Sequence, residues 1–223
     1  MQQRIRERLH TGILQKAASV KPNFTAFMKE VSEVTIINIA PNLCHITDPW
    51  PARDRQAVLV PLENTWRKNL YTNIIAAEYA ESVDRVLTVN FPSELDYVFP
   101  MRKTETIGFQ TPLGLLRYMA SVGVVLNATF TECQPMAQLE ALAVGTPCIT
   151  GPLRLAGLSS HPLAVLCEVT ELDDPGLLAT KIERLIFEWR SDPDGLCEMT
   201  RDFCQRRLAA GLESYKRFFG WQE

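Results

Sequence analysis

Two carboxylates eight positions apart, Glu132 and Glu140, carry the clearest chemical signal in the chain. Glu140 lies in a run where Met136, Ala137, Leu139, Ala141, Leu142, Ala143 and Val144 are apolar and only Gln138 shares its polarity. A carboxylate there needs a partner or a ligand, because an unpaired buried charge is costly. At a helical rise of ~1.5 Å per residue the two glutamates stand on the order of 10 Å apart, about the span from a sugar ring to a ribose across a diphosphate. A plainer alternative stays open at this point: Glu140 pairs with a lysine or arginine, or its side chain reaches out to water.

The elements that must position these groups are legible around them. Residues 122–128 are apolar and β-branched, and 148–150 form a second such run. Between them Pro135 suits the first turn of a helix, where a missing N–H costs nothing. Gly145 suits its left-handed stop, with Pro147 just beyond. Strand, loop, helix and strand make half of a parallel α/β repeat. Glu132 falls in the loop where strand carboxyl ends meet a helix N-terminus, the place where open α/β sheets collect anionic ligands.

The flanking chain reads the same way. Strands are expected at 57–61 and 85–89, with a helix from Asn69 to about Ser82 between them. Arg67 and Lys68 stand at that helix start, where a cation opposes the dipole unless an anion joins it. Solvent-facing loop charges are the other reading of the same pair. A helix is expected at 112–122, a strand at 164–169, and a helix at 176–189 entered through Asp173-Asp174-Pro175. A closing helix follows at 193–215, its Arg201, Arg206, Arg207, Lys216 and Arg217 on a solvated face. Upstream, 1–32 reads as helical with a break at Pro22, 34–40 as β-like, and 47–56 as a polar, Pro-rich linker. Residues 91–106 read as loop with a weak helix at 94–98. The expected organisation is an N-terminal helical segment, 1–33, and an α/β domain, 34–223.

Composition limits the function classes. The apolar share of 46% and charged share of 22% are those of an ordinary globule. A net charge of −3 supplies no basic surplus for nucleic acid. No run of 18 apolar residues argues for a membrane span. MQQRIRERLH lacks a signal peptide's apolar stretch. The scattered cysteines read as reduced thiols of a cytoplasmic protein, and without Cys-x-x-Cys or clustered histidines no metal site is expected.

Glu132, seven residues, Glu140, then Ala-Leu-Ala-Val-Gly-Thr-Pro resembles the signature of retaining GT-B-type glycosyltransferases of group 1, the glycogen-synthase-like class. The resemblance covers roughly 34–215. It implies a Rossmann-like, three-layer parallel sheet with helices on both faces: one half of a GT-B enzyme, the half that binds the nucleotide sugar. It implies catalytic roles for Glu132, on the donor sugar, and Lys68, on the departing diphosphate. Glu140 would hold the ribose diol. Loop amides at Gln134, Met136 and Ala137 would hold sugar and phosphates, with Thr129 nearby. Gly108 matches the family's glycine before the helix that leads into the central unit. The family's arginine upstream of the lysine is replaced by Glu63, and Arg67 is the substitute. Gly-Phe-Gly-Leu is replaced by Cys133-Gln134-Pro135-Met136, and Pro135 removes one amide. No cofactor is implied beyond the nucleotide diphosphate sugar as substrate. The usual acceptor domain has no room before residue 34, so a protein partner, a missing acceptor domain or a second copy is expected to complete the cleft. Two other readings remain: a GT-B-like module that binds a partner without turnover, and an unrelated doubly wound domain whose glutamates are structural.

Overall fold

Residues 54–60 alternate little and bury their last four side chains, forming the strand on which the sheet is built, β1 (Asp54–Val60). A strand buried on both faces reads as a continuous apolar run, which is why Ala-Val-Leu-Val was visible as a strand. Its parallel neighbours are β2 (Arg85–Thr88) and β4 (Val122–Asn127). With β3 (Thr104–Thr106) and β5 (Cys148–Thr150) the order is β3-β2-β1-β4-β5, parallel throughout. The computed structural model describes residues 37–90, 100–132, 134–155 and 157–219. The helices expected within 1–32 and at 94–98 lie outside the described residues.

Among the described residues six α-helices accompany the strands: α1 (Leu70–Tyr79), α2 (Pro112–Ser121), α3 (Met136–Ala143), α4 (Pro162–Cys167), α5 (Pro175–Ser191) and α6 (Pro193–Phe219). One face of the sheet packs Ala57, Leu59, Val125 and Cys148 against Met119 of α2 and Ala141 of α3. On the other, α1 and α5 pack against each other and against the central strands. The sheet is therefore a Rossmann-like α/β fold, as expected. Its strand order reverses once: β1, β2 and β3 run to one edge, then α2 carries the chain back to β4 on the other side of β1. The carboxyl ends of β1 and β4 are thus the topological switch point, where such sheets bind ligands.

The β1–β4 pairing is irregular between Asp54 and Val58, and Gly123 is the residue that permits it. A Cβ on Gly123 would lie 2.3 Å from the backbone oxygen of Arg55, so the two strands approach more closely than a side chain allows. The Gly123 carbonyl also accepts the indole N–H of buried Trp189 at 2.7 Å. Gly123→Ala is expected to destabilise by about 2 kcal/mol, as overpacked sites do, read as a lower urea midpoint with an unchanged slope.

The chain divides into two compact units, one of residues 38–210 and one that includes Ile37 and Gly211–Phe219. In the second, the Ile37 amide donates to Ser214 Oγ at 3.0 Å.

Several expectations are corrected. Residues 104–106, the end of the stretch read as loop, form β3, and 54–56, the end of the expected linker, belong to β1. Residues 37–40 of the β-like run form no strand; the Asn38 amide donates instead to the side-chain oxygen of Gln134. The strand expected at 164–169 is mostly helix α4, which starts at Pro162 and is capped by His161, whose Nδ1 accepts from the Leu163 amide at 3.1 Å. Only a bridge from Glu168 to Thr150 survives at the sheet edge. Arg207 is not on a solvated face: it is fully buried. One guanidinium N–H donates to Gln138 Oε1, while Nε and Nη2 have no partner. Burial pushes its pKa down to about 10. Replacing such a charge and its neutral partner with apolar groups of similar size tends to stabilise. The pair Arg207→Met, Gln138→Leu is expected to raise Tm by about 2–4 °C, equivalent to about 1 kcal/mol.

Candidate functional site

The loop after β1 ends in a 3₁₀ turn, Trp66–Lys68, followed by Asn69 at φ 55°. Asparagine tolerates this left-handed conformation better than other residues with side chains, so the turn closes without a glycine. Its side chain then reaches across the switch point. Asn69 Nδ2 donates to the carbonyls of Ala128 at 3.1 Å and Leu172 at 2.6 Å. One turn on, Asn73 closes on the same residue from both sides: its Nδ2 donates to the Ala128 carbonyl at 2.9 Å, and its Oδ1 accepts from the Ala128 amide at 3.1 Å. A main-chain bond from the Phe130 amide to the Arg67 carbonyl, 3.0 Å, completes the seam.

This seam sets Lys68 against Glu132. Nζ and Oε2 are 2.7 Å apart, with the side chains 19% and 23% exposed. The anion that a cation at a helix start requires is therefore a carboxylate on the neighbouring loop. Four residues after Glu132, α3 begins at Met136 behind Pro135 with no side-chain cap, leaving its dipole unblunted at the same end of the sheet. Gln134 is held by its bond to the Asn38 amide, and Ala137 lies in the first turn of α3.

Glu140 sits further along α3, partly buried, and forms no ion pair among the described residues. Burial alone pushes its carboxyl above the ordinary 4.5. It borders a cavity of about 440 Å³, walled by residues 41–43 and 45–48 and by Pro112, Leu113 and Leu116 of α2. Asp48 in that wall is neutralised by Arg117 at 2.9 Å. Of the alternatives the sequence left open for Glu140, pairing with a basic residue is not seen among the described residues; the carboxylate faces a hollow. Gly108, at φ 68°, turns the chain out of β3 into α2, whose start is fixed by Thr111 accepting from the Gly114 amide. Gly108 itself does not line this cavity.

A smaller cavity, about 70 Å³, lies between Lys68's partner and the sheet, lined by Asn127, Thr129, Glu132, Pro135, Thr150 and Gly151 among others. Thr129 is buried there. Arg67, next to Lys68 in the same turn, is exposed and makes no ion pair among the described residues. A separate hollow of about 470 Å³ lies beside His161, Asp202 and Arg206, which are committed to one another: His161 Nε2 lies 3.0 Å from Asp202, which also accepts from Arg206. Among the described residues no group of three His, Cys, Asp or Glu is placed to hold a metal ion.

Lys68, Glu132 and Thr129 are thus brought together at the β1–β4 switch, Glu140 opens on a second hollow, and Arg67 is exposed beside Lys68. Asn73 and Thr150 were missed by sequence reasoning. A polar residue at the very tip of an otherwise apolar strand was the signal for the second, as it is for Asn127 at the end of β4.

No protein-family model and no curated protein matches the sequence. Solved structures do. Sucrose-phosphate synthase from Thermosynechococcus elongatus matches with a TM-score of 0.59 at 18% identity, over 84% of this chain and 52% of that one. The catalytic domain of cholesterol-α-glucosyltransferase from Helicobacter pylori matches at 0.53 and 17%, over 70% and 99%. Anabaena HepE, solved with UDP and glucose, matches at 0.50 and 15%, over 75% and 49%. The chain spans about half the length of the first and third of these. At such identities the likeness shows the fold, and that fold is one shared with GT-B glycosyltransferases, many of them of group 1.

Proposed function

We propose that this chain is the donor-binding half of a retaining glycosyltransferase, which transfers a sugar from a nucleoside diphosphate sugar. The observation that carries the reading is the meeting of Lys68 and Glu132, 2.7 Å apart across the topological switch point. A free diphosphate or a donor would compete with Glu132 for the ammonium of Lys68. With the donor seated, Glu132 is released toward the sugar hydroxyls and Lys68 faces the diphosphate. An acceptor hydroxyl oxygen bonds to the anomeric carbon as the bond from that carbon to the diphosphate oxygen breaks; the electron pair leaves with the diphosphate, which takes up the hydroxyl's proton, and Lys68 meets the charge that grows there. Glu140 accepts from the ribose hydroxyls in the larger hollow. Support for a separate acceptor-bearing domain comes from the span of about half the length of sucrose-phosphate synthase and from Trp66 and Phe109, exposed at 79% and 95% on loops of this end of the sheet.

The test is calorimetric titration of the chain with UDP, GDP and ADP and their hexose conjugates. Saturable binding of one nucleoside diphosphate, weakened by added salt, is expected; no heat with any of them overturns the reading. A partner-binding module without turnover is favoured by Pro135, which withholds an amide from the loop. It would bind a nucleotide but release no diphosphate from any conjugate when the acceptor-bearing domain is supplied.

A further inference from the structure

The small cavity behind Glu132 has a feature that the Lys68–Glu132 pair does not explain. Asn127 and Thr150 are the last residues of β4 and β5, paired with each other in the ladder. Both are almost wholly buried, and both line the cavity. The Asn127 Nδ2 and Thr150 Oγ1 atoms have no hydrogen-bond partner. Their backbones are satisfied, since the Thr150 carbonyl accepts from the Val169 amide at 2.9 Å. Three neighbouring buried polar side chains do have partners: Asn69 and Asn73 close the loop seam, and Thr88 Oγ1 donates to the Asn90 carbonyl. Arg207 also has unpartnered nitrogens, but it lines none of the cavities described above. The orphaned amide and hydroxyl therefore coincide with space, with one donor and one donor-acceptor facing it.

Resting on the donor-binding reading above, we infer that this cavity is a subsite for one edge of the donor sugar, taking one or two of its hydroxyls, and that Asn127 and Thr150 set the choice of sugar. Its volume, about 70 Å³, is several times the ~10–15 Å³ that one water requires, yet too small for a whole pyranose ring. Glu132 stands at its rim as a further acceptor. A hydroxyl inserted here accepts from Asn127 and exchanges a bond with Thr150. A deoxy sugar leaves both unpaired, and sites built to bond a hydroxyl discriminate strongly against its loss.

The experiment uses the nucleoside diphosphate that binds best among UDP, GDP and ADP, with its hexose conjugate and the deoxyhexose conjugates. The wild-type chain should hold the hexose conjugate at least about tenfold more tightly than one of the deoxy conjugates. Asn127→Leu with Thr150→Val should erase that ratio, keep the affinity for the free diphosphate, and leave Tm equal or higher, because two orphaned polar groups are removed. A variant that retains the preference overturns the subsite while the donor reading stands. So does one whose affinity for the free diphosphate falls in parallel. Failure of every nucleoside diphosphate to bind the wild-type chain overturns both.

Discussion

Glu140→Ala is expected to weaken nucleoside diphosphate binding about 100-fold. Each hydrogen bond from a ribose hydroxyl to a carboxylate contributes about 1.5–3 kcal/mol, and the loss of such a pair, discounted for water that refills the site, comes to about 3 kcal/mol. The substitution should not harm the fold, since no ion pair depends on this carboxylate among the described residues. Burial holds its pKa above 4.5 in the folded chain, so the folded state binds a proton more readily than the unfolded one. Stability is therefore lower where Glu140 is ionised and rises as pH falls through the raised value. Glu140→Gln should accordingly lift Tm slightly at neutral pH, by about 1 °C, and give no gain under acid conditions. Ligand affinity has the opposite slope, because only the ionised carboxylate accepts from both hydroxyls; it should decline as pH drops through the same range. Calorimetry and thermal melts over a pH series read both slopes. Unchanged affinity in Glu140→Ala would sink the ribose assignment.

The second large effect separates the members of the loop pair by sign. Lys68→Ala should lower affinity for the diphosphate about 10- to 100-fold, remove most of its salt dependence and leave the bare nucleoside unaffected. Turnover with a complete donor should fall about 10²–10³-fold, the usual cost of losing one group aimed at a developing oxyanion. Glu132→Gln should do the reverse for the free diphosphate, tightening it several-fold because Lys68 no longer has a resident anion, while turnover still falls. Should both substitutions shift nucleoside and diphosphate affinities by equal factors, the pair is a structural strut and the assignment to the leaving group fails.

Much of this was readable from residue types because the elements obey short-range rules. Gly145 does end α3 in the left-handed region, at φ 76°, and Asp174 caps α5 by accepting from the Gly176 and Leu177 amides. What was not readable depended on partners distant in sequence. Residues 164–169 carry β-forming side chains, yet the sheet edge has only one bridge to offer them, and a histidine supplied the helix cap that serine, threonine or aspartate usually provides. Arg207 reads as one more surface charge; only the packing of α6 reveals it beside Cys148 and Cys204. At the site, the positions of Lys68, Glu132 and Glu140 followed from motif spacing. Their mutual distance did not, because it rests on Asn69 and Asn73 reaching the Ala128 backbone.

The place of β1 between β2 and β4 also dictates when the molecule becomes competent. β2 and β3 follow β1 closely in the chain and can dock onto it while synthesis continues, whereas β4 must return across the whole intervening stretch before its ladder forms. Such distant closure is the slow part of folding an open parallel sheet. Lys68 and Glu132 face each other only after it, so on the donor-binding reading proposed above a nascent polypeptide translated through β3 lacks the seat for a diphosphate. Recovery of nucleotide binding in a refolding experiment should track the final phase and never precede it.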